Sequence, residues 1–192
     1  MFILASGSPR RRELLCMLGL EFEIITADID ETMDDTLSVE EAVAEVCRRK
    51  AEAVGEKHPG RLIVSADTIV TVDGKVLGKP HSEEEARAML QSLSGRSHTV
   101  MTAFCLYRDG SAETHVEKTD VRFKPLSCEE IDAYIATGSP MDKAGAYGIQ
   151  DGAAVFVEAL QGDYYNVMGL PLCALVKCLR RQGVPVLGTV RP

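Results

Sequence analysis

The chain lacks most features that would settle its class at once. No stretch approaches the ~18 consecutive apolar residues of a membrane-spanning helix. The opening apolar stretch reaches Pro9 too soon for a secretory leader, and its basic residues follow instead of preceding it. A cytoplasmic protein is therefore expected, with no membrane partner. Six cysteines contain no C-x-x-C pair, so buried free thiols are expected. His58, His81, His98 and His115 have no metal-ligand spacing, which argues against a zinc site. The G-x-x-x-x-G-K-[ST] phosphate loop and the G-x-S-x-G nucleophile turn are both missing. Positive charge is in deficit: 21 Lys+Arg against 29 Asp+Glu give a net charge of −8. That excludes a general nucleic-acid binder, which needs a broad basic face, but leaves room for a local basic cluster on a small anion.

What is present reads as one soluble domain over residues 1–192, with no repeat or linker. The 45% hydrophobic share is ample for a core. Short apolar runs predict strands over 2–5, 22–26, 61–66, 68–72, 76–77, 98–107, 113–123 and 153–159. Ser8 with Pro9 predicts a capped helix start, and Gly19 its end. Three Ser/Glu pairs at the capping-box spacing, Ser38/Glu41, Ser82/Glu85 and Ser127/Glu130, predict helices over 38–57, 82–94 and 127–137. A last helix is expected over 172–181. Asp73-Gly74 and Asp109-Gly110 predict hairpin turns. Helices interleaved with hairpin-joined strands give an α/β fold, a mixed twisted sheet with helices on its faces.

Five segments carry chemistry. Ser6-Gly7-Ser8-Pro9-Arg10-Arg11-Arg12 follows a strand and opens a helix, so hydroxyls, orphan N–H groups and guanidiniums converge on an anion site. Its three arginines oppose the helix dipole, and a bound phosphate would compensate; a basic solvated turn is the alternative. Asp67, between two apolar runs, reads either as a metal ligand or general base at a strand's end, or as a turn residue. Gly78-Lys79-Pro80 fixes a lysine on a stiff loop. The Gly-rich stretch 141–152 lets a ligand approach the backbone, and Gln150 offers a carbonyl and an amide to a base edge. The stretch 162–171 reads as a Gly-bounded loop, its tyrosines serving packing. The acidic stretch 28–35 reads as solvated, with Glu31 available as a second carboxylate for a divalent ion.

Taken together and in order, Ala-Ser-Gly-Ser-Pro-Arg-Arg, Ser-Ala-Asp-Thr, Gly-Lys-Pro, Asp-Lys-Ala-Gly-Ala-Tyr-Gly-Ile-Gln and Val-Met-Gly-Leu-Pro resemble the Maf family of nucleoside triphosphate pyrophosphatases, sometimes described as septum-inhibition proteins. The resemblance implies a Maf/ITPase-like fold of two lobes around a deep cleft. It implies hydrolysis of a nucleoside triphosphate to the monophosphate and pyrophosphate with a divalent cation, Mg²⁺ or Mn²⁺. It places Asp67 as the catalytic base or metal ligand, with Glu31 as an acidic partner. Ser8, Arg11 and Arg12 fall on its phosphate loop, and Lys50 and Lys79 on basic residues of the cleft. Arg10, Thr68 and Gln150 match the subgroup acting on dTTP and UTP, and modified pyrimidine nucleotides are conceivable substrates. Asp151 stands where some relatives have Gly. A homodimer is the family's expectation. The alternative is a nucleotide-binding regulator of cell division and septum formation, with little or no hydrolysis.

Overall fold

The computed structural model describes residues 1–188. Seven strands form one mixed sheet: β1 (Phe2–Leu4), β2 (Phe22–Ile24), β3 (Ile63–Val72), β4 (Lys75–Leu77), β5 (Ser97–Arg108), β6 (Ser111–Phe123) and β7 (Val157–Gln161). The spatial order is β2-β1-β3-β5-β6-β7, with β4 paired to β3. β1 is parallel to β2 and β3, while β4 and β7 run antiparallel to their neighbours. Among the described residues there are six α-helices: α1 (Pro9–Met17), α2 (Val39–Gly55), α3 (Glu83–Leu93), α4 (Cys128–Ile135), α5 (Tyr164–Met168) and α6 (Leu172–Arg181). The expected mixed α/β sheet is thus the observed one. No helix among the described residues is long and apolar enough to cross a membrane.

Local chemistry explains most element boundaries. Ser38 and Ser127 form complete capping boxes, each side chain accepting an N–H three residues on while the glutamate returns to the serine's own N–H. Ser82 makes only half of one: its hydroxyl accepts from Glu85 N–H, but the Glu85 carboxylate accepts the N–H of His81 instead. Asp73 and Asp109 both adopt positive φ, 51° and 49°, so each Asp-Gly pair turns as a primed hairpin.

Four expectations are corrected. Ser8 stands at the N-cap of α1 with extended backbone, but its side chain makes no cap bond; Pro9 alone sets the helix start. The two runs either side of Asp67 are one ten-residue strand, which lies in the sheet between β1 and β5 and pairs with β1 at Ile63 and Val64 and with β4 from Val70 onward. Asp67 therefore lies mid-strand. The segment from Ala153 first forms a 3-10 helix, Gly152–Phe156, because the Asp151 carboxylate accepts the Ala153 N–H; the strand begins only at Val157. The supposed loop after Gly162 contains α5, whose Asn166 is buried and donates to Val100 O and Thr119 Oγ1.

By internal packing the chain comprises two compact units. The first holds Met1–Asp67, Thr102–Glu117 and the described residues from Gly169 onward; the second holds Thr68–Met101 and Lys118–Met168. The first buries β1, Leu14 and Leu15 of α1, the Val43, Val46, Ala51 and Val54 stripe of α2, and Leu175 and Leu179 of α6. The second centres on Phe123, whose ring meets His98, Tyr147 and Phe156 edge-on among Leu90, Leu93, Val121 and Ile131. Full burial of each large side chain contributes about 1.5–3 kcal/mol.

Candidate active site

In the first unit, helix α2 and strand β3 are pinned below the site by a buried polar contact. Ser65 Oγ donates to Cys47 O at 2.7 Å and lies 3.2 Å from Cys47 Sγ. Three residues further along the helix and two further along the strand, the same faces meet again. There Lys50 Nζ donates to Asp67 Oδ1 at 2.7 Å and to Glu31 Oε2 at 2.8 Å. Lys50 occupies a position of the apolar stripe and is only 8% exposed. A lysine there must be paired, because an unpaired buried charge is very costly. Glu31 itself is exposed, and its segment is held by Arg49, which donates to Asp30 O and Thr32 O. Burial pushes the Cys47 thiol up to about 12, so it is a structural thiol and not a nucleophile.

The Ser-Pro-Arg turn is organised by Arg11. Its buried guanidinium donates Nε to Gly169 O at 2.8 Å, and Nη1 to Ser6 Oγ and Ala66 O at 2.9 and 2.7 Å. Ser6 Oγ also accepts the Ser8 N–H. Arg11 thus ties the end of β1 to the backbone beside Asp67 and to the segment before α6. Burial lowers its pKa from the ordinary arginine value, opposed chiefly by the Asp67 charge. Ser8 and Arg10 are half-buried and Arg12 is exposed.

The second unit carries Thr68, Lys79 and Gln150, and their three segments meet at Gly145. Gly145 N–H donates to Gly78 O, beside the exposed Lys79. Gly145 has φ +67°, and a Cβ there would lie 2.9 Å from Val70 Cγ2, two residues past Thr68 on β3. Only glycine fits that approach. Gln150 is exposed between the buried Ile149 and Asp151. Around it lies a network the sequence did not announce, made of Tyr134, Ser139, Lys143 and Asp151.

Asp67 and Glu31 are hard oxygen donors brought to one ammonium, and no group of three or more His, Cys, Asp or Glu able to hold a metal is found among the described residues. Such a set does not suit zinc, which takes three or four protein ligands. It fits Mg²⁺ or Mn²⁺, which take one or two carboxylates and fill the rest with water and phosphate oxygens.

Residues 1–182 match the family model described as Maf-like protein. The chain belongs to the Maf family. A relative called dTTP/UTP pyrophosphatase from Halalkalibacterium halodurans is 51% identical over 94% of this chain and 95% of its own length. One of the same name from Geobacillus sp. is 50% identical over 94% and 97%. Among solved structures, the Staphylococcus aureus Ham1 protein aligns over 64% of this chain and 71% of its own, with 15% identity and a TM-score of 0.45.

Proposed function

We propose that this Maf protein is a nucleoside triphosphate pyrophosphatase (a nucleotide diphosphatase) that hydrolyses dTTP and UTP to the monophosphate and pyrophosphate. It would thereby clear the nucleotide pool of unwanted members, modified pyrimidine nucleotides included. The observation that carries the reading is the buried Lys50 ammonium shared between Asp67 and Glu31. A lysine and two carboxylates joined in this way match a polyphosphate with its cation, which presents the same charges in complementary order. The names of the relatives and the Arg10, Thr68, Gln150 combination support the choice of bases. The match over residues 1–182 supports one working domain.

In this reading Ser8 and Arg12 at the start of α1 hold phosphate oxygens, with Lys50 and Lys79 neutralising further charge. Arg11 contributes its charge and, through Ala66 O, holds the backbone that carries Asp67. Asp67 orients a water for in-line attack on the α-phosphorus and takes its proton as pyrophosphate leaves. Asp67 and Glu31 would hold the divalent cation, which when bound supplies charge neutralisation and a more acidic water. Gln150 pairs with O4 and N3–H of uracil or thymine, while Arg10 suits a carbonyl oxygen. Thymine's methyl requires only space, so an enzyme that takes UTP can also take dTTP.

A panel of nucleoside triphosphates with Mg²⁺ or Mn²⁺, followed by pyrophosphate release, tests the reading. dTTP and UTP should lead, and Asp67→Asn should lower their turnover by about 10²-fold or more while nucleotide binding persists. Equal rates on purine and pyrimidine triphosphates would remove the base assignment. Binding without pyrophosphate release would favour a division regulator.

A further inference from the structure

We infer that Tyr134 and Asp151 are positioning residues that set base choice by fixing the backbone on both sides of Gln150; this rests on Gln150 reading the base. Tyr134, on α4, is 5% exposed. Its hydroxyl accepts the Gly148 N–H at 3.1 Å and donates to the Asp151 carboxylate at 3.0 and 3.2 Å. One phenol therefore holds the residue two before Gln150 and the residue one after it.

Asp151 is itself saturated. Besides Tyr134 it accepts from Ser139 Oγ at 2.6 Å and from the Ala153 N–H at 3.0 Å, and Lys143 Nζ stands 3.5 Å away. A carboxylate offers about four lone-pair directions, and these donors take them up. Asp151 thus has no capacity left for a ligand, and its part is played through its neighbour. Lys143 is held in turn by Ser139 O and Asp142. The backbone lies tight against this pair: a Cβ at Gly148 would come 2.6 Å from Asp151 Oδ2 and 2.7 Å from Lys143 Cε.

The physical consequence is preorganisation. The exposed Gln150 side chain keeps its rotamer freedom, but its Cα is fixed, so a base ordering the amide meets only the side-chain entropy cost. Released from the phenol, the segment must also be ordered at each binding event. That penalty falls only on nucleotides whose binding uses the amide. A merely structural loss would scale every nucleotide alike.

The test is Tyr134→Phe, which keeps the ring packed on Phe156 and removes only the hydroxyl. Asp151→Asn serves as the second variant if the first does not fold. kcat and KM are measured for UTP and GTP beside the melting temperature. The UTP-to-GTP ratio of kcat/KM should fall about tenfold, the scale of one net hydrogen bond, through a higher KM for UTP, with GTP unchanged. A uniform loss for both nucleotides, or an unaltered ratio, overturns the inference. Gln150→Ala separates the two layers. If it leaves the ratio unchanged, the base assignment itself is wrong and the inference goes with it. If it lowers the ratio and Tyr134→Phe does not, only the positioning role is lost.

Discussion

His98 shows how one residue's surroundings decide its charge. It is 3% exposed, edge-on to Phe123 and Tyr147, with Nε2 2.8 Å from the Tyr147 hydroxyl. Its Nδ1 is buried with no hydrogen-bond partner among the described residues. Burial lowers the imidazole to about 4, with Asp120 opposing weakly. The folded pKa is therefore below the unfolded value of about 6.5. Neutral His98 contributes stability fully above pH ~6.5, and this is lost as the unfolded chain takes up the proton between there and pH ~4. Over that window wild-type protein should lose up to about 3 kcal/mol more than His98→Gln, followed as unfolding free energy against pH. Parallel curves for the two proteins would contradict it. Arg11 is the opposite case, a charge kept in the interior because three acceptors and Asp67 face it.

At the scale of elements, a cap contributes only where the side chain reaches the backbone. Ser38→Ala should cost about 1 kcal/mol in chemical denaturation, since the hydroxyl caps α2. Ser8→Ala should cost almost nothing there, because its hydroxyl makes no cap bond, yet it should weaken nucleotide binding. Equal destabilisation by the two would show that the α1 start is capped after all. The same locality explains what the sequence discloses. Capping boxes and Asp-Gly turns are written within three or four residues, so α2, α4 and both hairpins were legible. The continuity of β3 through Asp67 depends on its place in the sheet between β1 and β5, partners remote in sequence, and was not. Nor was the 3-10 turn at Gly152–Phe156, which a carboxylate one residue earlier imposes on an apolar, strand-like run.

At the scale of the whole molecule, the site was readable chiefly as a family pattern. Lys50 had one physical clue of its own, a charge on the Val43, Val46, Val54 stripe of α2. The Arg11 bond to Gly169 O joins positions 158 apart, and no local pattern encodes it. Nothing local to the sequence marks Tyr134, and Asp151 shows there only as a carboxylate where some relatives have Gly. Only their meeting across Gln150 gives them a part. The bridge from Lys50 to Asp67 and Glu31 has a further consequence. If Asp67 and Glu31 hold the divalent cation as proposed, the Lys50 ammonium occupies its place before nucleotide arrives, and the resting protein should be nearly blind to the metal. Mn²⁺ titrated alone and followed by its electron-spin signal should bind weakly to wild type, and more tightly to Lys50→Gln. Tight binding to wild type alone would mean that the ammonium yields its seat before any phosphate arrives.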